Sequence, residues 1–384
     1  MDLAILCANL RRLRAARNRS QADVAEASGL SRMGYLSIEN GEVTPRVDSL
    51  ARIATTLGVK VEELLAPVRV LRRVRFRAKK RMSSREDLLV RVARHLDDYN
   101  ELEGIVGEAS PFRFKDLLEE LERVSKKERP LVAAARAREL LALNGEDLIG
   151  DICNVLEDNG VKVFTPEVAS EGFFGLSVAA DDGGPAVIVN TWDRISVERW
   201  IFTAAHELGH LLLHLHAYDV DQTIEDDSEE HEADLFAANF LMPEERFQSE
   251  WRKASGLGFV DRVLTVKRLF RVSWKTVVYR VAAASPEPSR VWAQFYGEYK
   301  RLYGRGLRAV DEPGGLSKDD FHPRPAARMA DEPDRLLPRD FVEERRKRLV
   351  RDAIEKELIS MGRGAEILDL SLKEMRSLAF SWRT

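Results

Sequence analysis

"FTAAHELGHLLLH" (residues 202–214) sets His206, Glu207 and His210 on one apolar segment. On a helix, positions four apart lie on the same face one turn apart, so His206 and His210 present two ring nitrogens to one ion. A catalytic zinc usually takes three protein ligands, with about 2.0–2.1 Å to each nitrogen. Glu207 is rotated by about 100° from His206. It therefore faces the side of the ion, where a general base acts on water. Read alone, the same segment also suits a buried helix with satisfied core histidines. Burying Glu207 unpaired is costly, however, and a nearby cation removes that cost. A third ligand must come from elsewhere. "SEEHEADLFAANFLMP" (228–243) offers Glu230, His231, Glu232 and Asp234 before and within a following helix.

Around this pair the pattern predicts helices over about 195–216 and 228–241, the second stopped by Pro243. "VKVF" (161–164) and "AVIVN" (186–190) are short apolar runs bounded by turn residues and read as strands. Residues 187–214, "VIVNTWDRISVERWIFTAAHELGHLLLH", resemble the signature of the ImmA/IrrE family of zinc metallopeptidases. A short strand ends in Asn190, Arg199, Phe202 and Thr203 lead into the HELGH helix, and His214 trails it. "HEADLFAANFLMP" (231–243) resembles the family's second motif, and "LEDNGVKVF" and "GFFGLSV" its upstream strands. The resemblance covers roughly residues 147–282 and implies a zincin-like fold. It implies Zn2+ held by His206, His210 and Glu232, with Glu207 as the catalytic base. His214 is a candidate outer partner of the site or a packed structural histidine. The implied chemistry is metal-assisted peptide hydrolysis, in which zinc polarises the scissile carbonyl and Glu207 carries a proton to the leaving amine.

The start of the chain is of another kind. Residues 1–66 read as a compact set of short helices. "SQADVAEASGLSRMGYLSIENGEVTPRVDSLARIATTLGVKVEELL" (20–65) resembles the phage-repressor (XRE) type of helix-turn-helix. Ser20 caps a helix, Ala25 is small at the crossing, and Gly29 makes the turn. The resemblance implies base contacts from Arg32, Met33 and Ser37 and phosphate contacts from Gln21 and Asn40. Residues 1–66 carry nine basic and eight acidic residues, a net of only +1. Phosphate neutralisation normally drives DNA binding. Direct DNA contact, docking of a partner protein and dimerisation therefore all remain open.

Charge is distributed in patches that the chain's net −4 conceals. Residues 69–81 carry eight Arg and Lys and no acid; residues 219–234 carry nine Asp and Glu and no base. The basic stretch begins in "PVRVLRRVRFR" (67–77), which alternates Val68, Val70, Val74 and Phe76 with arginines. That is the period of a strand with one buried face, interrupted by Arg72; the cluster either makes up the charge deficit of residues 1–66 toward DNA or is an edge strand with a solvated arginine face. Residues 85–149 look helical, with breaks at Pro111 and Pro130, and residues 67–146 form a connector. Residues 147–300 hold the peptidase domain. Residues 304–338 collect Gly and five prolines and read as a linker. Residues 264–281 and 349–382 both show helix-turn-helix rhythm, and 301–384 as a whole is linker plus helical module. There is no solenoid-type repeat. The fold class is mainly α with a small β-sheet (α+β).

No apolar run reaches the length of a membrane span, and arginines follow the first apolar patch instead of preceding it. With only Cys7 and Cys153, the chain reads as cytoplasmic and without a disulfide framework. Cys153 is either an inert buried thiol or a thiolate that occupies the open zinc position. Two functions follow as expectations. The first is a zinc endopeptidase that cleaves a protein substrate, for which the resemblance suggests a helix-turn-helix repressor of stress, mobile-element or phage-defence genes. The alternative is a DNA-binding transcription regulator whose zinc domain acts as sensor or autoprocessing module. A homodimer suits either.

Overall fold

The computed structural model describes residues 2–67, 69–76, 84–143, 147–221, 226–308, 311–314 and 336–382. Val68, the second half of the basic cluster (77–81) and most of the Pro/Gly-rich stretch lie outside the described residues. The chain forms two compact units, Met1–Arg72 with Lys79–Asp98, and Arg73–Ala78 with Tyr99–Thr384.

The first unit is helical: α1 (Leu3–Ala16), α2 (Gln21–Ala27), α3 (Arg32–Glu39), α4 (Val47–Leu57), α5 (Val61–Leu65) and the start of α6 (Arg85–Val106). Ser20 and Asp23 form a capping box at α2, so two backbone donors at the helix start are satisfied reciprocally. Gly29 turns the chain with φ +66°, a conformation that a side chain would strain. Ser31 then caps α3 by accepting from the Gly34 amide. Leu6, Leu10, Val24, Ala25, Tyr35, Leu50 and Ile53 share one buried core.

The second unit holds a four-stranded sheet: β1 (Val74–Arg75), β2 (Lys162–Phe164), β3 (Gly175–Val178) and β4 (Ala186–Val189), in the order β1-β3-β4-β2. β3 pairs antiparallel with both β1 and β4, and β2 runs parallel to β4. Helices α7 (Lys115–Leu121), α8 (Arg129–Leu140), α9 (Ile152–Asp158), α10 (Val197–Leu213), α11 (Asp227–Leu241), α12 (Glu244–Lys253), α13 (Phe259–Phe270), α14 (Trp274–Ala283) and α15 (Pro288–Tyr303) follow. α16 (Arg345–Glu355), α17 (Met361–Ile367) and α18 (Leu372–Ser381) close the chain and pack on Tyr99 and Leu102 of α6. The fold class is mainly α with a small β-sheet. No described helix is long and apolar enough to cross a membrane.

α10 is apolar on nearly all sides because it is buried on nearly all sides, a core helix and not a surface one. Ser196 caps it through the Arg199 amide. Gly209 lets α11 approach: a Cβ there would stand 2.9 Å from Phe236 Cδ1. Gly175 does the same for β3, where a Cβ would meet Thr203 Cγ2 at 2.5 Å. Asp226 caps α11, and Asp227, Glu229 and Glu230 fill its first turn, where the helix dipole favours negative charge. Part of the acidic patch is thus a helix start.

Two expectations change. Pro130 does not break a helix; it opens α8 at the first turn, where its missing N–H costs nothing. The stretch 67–77 contributes a strand of only two residues, and one of its arginines, Arg75, is buried while Arg72 stays exposed. Arg75 is 3 % exposed, whereas Val70 is 68 % exposed. Val74, Arg75 and Phe76 are all buried, so the two-residue period fails where the edge strand meets acids on α11.

Candidate metal centre

α10 and α11 bring three groups together: His206, His210 and Glu230. The Nε2 atoms of His206 and His210 are 3.0 Å apart. Glu230 Oε2 is 3.2 Å from His206 Nε2, and its Oε1 is 3.4 Å from His210 Nε2. A tetrahedral ion with about 2.0–2.1 Å bonds has corners about 3.3–3.4 Å apart. The triangle therefore has the size that one such ion needs, and two imidazoles with a carboxylate form a zinc donor set.

Each histidine is also held from behind, as metal-binding histidines are. His206 Nδ1 lies 2.9 Å from Asp234 Oδ1. His210 Nδ1 lies 2.9 Å from His214 Nδ1, and His214 Nε2 lies 3.2 Å from Glu232 Oε2. One proton arrangement satisfies the second chain. His214 donates from Nε2 to Glu232 and accepts at Nδ1 from His210, which leaves the His210 Nε2 lone pair directed at the cluster.

Glu232, the ligand that the resemblance implies, is thus not brought to the cluster. Two residues along a helix turn the side chain by about 200°, so Glu230 and Glu232 leave α11 in different directions. Glu232 reaches His214 and, at 3.8 Å, Lys126.

Glu207 is buried beside this group. Its Oε2 accepts the Ser177 hydroxyl of β3 at 2.7 Å, and Ser177 Oγ accepts the Tyr218 hydroxyl at 2.7 Å. Burial pushes the Glu207 pKa up to about 7, against the pull of His206 and the Ser177 hydroxyl. Burial also opposes charge on His206, but hydrogen bonds to Asp234 and Glu230 win and raise it to about 9. Burial takes His214 down to about 3 and His210 well below the usual imidazole range. Glu230 is held far below the carboxylate range, burial being overcome by its contacts with His206 and His210. Cys153 lies fully buried in the core, where burial pushes the thiol well up. That is the inert reading of this residue.

Residues 156–282 match a peptidase family described as the IrrE N-terminal-like domain. Residues 10–64 match the helix-turn-helix family. Among solved structures, the apo form of ComR from S. thermophilus aligns over 96 % of this chain and 99 % of that chain, at 12 % identity and a TM-score of 0.16. No curated protein matches the chain.

The IrrE-like segment contains every histidine and carboxylate of the centre, but not Arg75. From β1 the Arg75 guanidinium reaches Glu229 Oε2 at 2.5 Å and Glu230 Oε1 at 2.8 Å. Glu230 and Asp234 were among the candidates that residues 228–243 offered, whereas Ser177, Tyr218 and Arg75 were not singled out for these places. A signal existed for Arg75, an arginine in an apolar strand beside an acid-rich helix. Arg75→Ala takes the buried guanidinium away from buried Glu229 and half-buried Glu230. Breaking a buried pair this way costs about 3–5 kcal/mol. The expected result is a clearly lowered unfolding midpoint in denaturant, and an unchanged midpoint would contradict the pairing.

In the helix-turn-helix unit, Arg32 and Met33 stand exposed at the start of α3. Ser37 donates to Glu42 at 2.9 Å, and Asn40 accepts from Arg11 at 3.4 Å. The Gln21 amide is occupied at 2.8 Å by Glu39, which also binds Arg14.

Proposed function

We propose that the chain is a zinc-dependent endopeptidase acting on a protein substrate, with His206, His210 and Glu230 as the ligand set and Glu207 as base. The observation that carries this reading is the three-cornered group of donor atoms 3.0–3.4 Å apart, with a buried carboxylate next to it. When bound there, zinc supplies a Lewis acid that makes water nucleophilic near neutral pH and polarises a carbonyl. The chain's own groups do the rest. Asp234 fixes the His206 ring, and His214 with Glu232 fixes His210. Ser177 and Tyr218 hold the Glu207 carboxylate in one rotamer. Glu207 takes a proton from water and passes it to the leaving amine.

The helix-turn-helix unit supports a regulatory substrate, and a helix-turn-helix repressor is the candidate. The test is co-expression with such a repressor encoded beside it. Cleavage is expected in zinc-replete cells and is lost when purified enzyme is treated with a chelator and restored by zinc. Cleavage that survives chelation would sink the proposal. The exposed Arg32 and Met33 favour a second role in operator binding. Arg32→Ala should then relax sequence selectivity at one base pair.

A further inference from the structure

The C-terminal helices repeat the N-terminal motif. Residues 360–378, "SMGRGAEILDLSLKEMRSL", align with residues 20–38, "SQADVAEASGLSRMGYLSI", without a gap. Ser20, Ala25, Glu26, Leu30, Ser31 and Ser37 recur as Ser360, Ala365, Glu366, Leu370, Ser371 and Ser377.

The structure repeats as well. Ser20 and Ser360 cap α2 and α17, and Ser31 and Ser371 cap α3 and α18. Between the helices Gly29 and Asp369 both turn left-handed, at φ +66° and +55°. The Leu30 amide bonds to the Ala25 carbonyl at 2.8 Å, and the Leu370 amide bonds to the Ala365 carbonyl at 2.8 Å. Tyr35 and Met375 fill equivalent buried positions.

We propose that α16–α18 are a second helix-turn-helix, which binds double-stranded DNA with α18 in the major groove. On the repeat, Met33 and Ser37 of α3 correspond to Lys373 and Ser377 of α18. Lys373 and Ser377 are one turn apart on an exposed face, and Arg376 is exposed beside them. Lys373 and Arg376 make no ion pair among the described residues. Residues 345–382 carry nine basic and six acidic residues, a net of +3, against +1 for residues 1–66. Arg345, Arg348 and Arg363 pair with Glu103, Glu108 and Glu101 outside that stretch, which leaves Lys373 and Arg376 as the exposed cations of α18, and the phosphate backbone is the partner that fits them. A third turn of this shape, between α13 and α14 at Arg271 (φ +54°), does not qualify. Trp274 of its second helix is buried against Phe295 of α15, with rings 4.9 Å apart.

The test uses the zinc-loaded full chain and a labelled duplex of randomised sequence of about 30 base pairs, three helical turns. Anisotropy is followed from about 50 to 200 mM salt. Lys373→Ala with Arg376→Ala is expected to weaken binding about tenfold or more and to lower the salt slope by about 2. Zinc content and helical circular dichroism should not change, and Lys373→Arg with Arg376→Lys should retain the slope. Arg32→Ala reports the first copy separately. Unchanged duplex affinity and slope in the double variant would overturn the proposal and leave the face, with exposed Leu372 and Phe380, to a protein partner. A full chain that binds no duplex would overturn it too.

Discussion

Glu207→Gln is expected to lower peptide hydrolysis by about 10²–10⁴-fold, the usual worth of a positioned general base. Zinc content should stay at the parent level. Both halves follow from where Glu207 stands. It lies next in sequence to His206 but outside the three-cornered donor group, so an amide there removes no donor. The amide oxygen still accepts the Ser177 hydroxyl, which keeps the side chain in place. What is lost is the ability to take a proton. Burial has already raised the Glu207 pKa to about 7, close to where a base exchanging protons with water works best. The measurement pairs a cleavage assay with elemental zinc analysis. A variant that keeps zinc and still cleaves would remove Glu207 from the chemistry. One that loses zinc would show that the carboxylate serves the site in another way.

The helices and strands around the site were legible because their signals are local. An apolar helix with two histidines one turn apart, a capped acidic helix ending before Pro243, and the apolar runs of β2 and β4 each carry their own pattern. Two kinds of feature were not legible. The first depends on which face a side chain leaves. Glu230 and Glu232 are equally good ligands by composition, and only the phase of α11 against α10 separates them. The second depends on distant partners. Arg75 reads as a solvated strand arginine until Glu229 and Glu230, some 150 residues later, are packed against it. The C-terminal repeat is a third case. It was visible as rhythm, but its meaning rests on the matching turn at Asp369, a non-glycine residue at positive φ.

Glu230→Gln and Glu232→Gln separate the two assignments of the third ligand. Replacing Glu230 removes an anionic corner from the donor group and also frees one arm of Arg75. Its zinc affinity should fall by more than the ~10–100-fold that loss of an outer partner costs. Glu232 acts on the group only through His214, which in turn holds His210. Its replacement removes an outer partner, so the fall should stay within about 10–100-fold. Competition with a chromophoric chelator reads both values directly, without any substrate. Unfolding with and without zinc gives an independent check, because binding to the folded state stabilises it by RT ln(1 + [L]/Kd). The zinc-induced rise in unfolding midpoint should nearly vanish for Glu230→Gln and persist for Glu232→Gln. The reverse order would return the third corner to Glu232. It would also mean that α11 rotates when the ion binds, since Glu232 Oε2 faces His214 in the arrangement described. Equal, small losses in both variants would leave the two histidines holding the ion without a carboxylate from α11, and the proposed ligand set would be wrong.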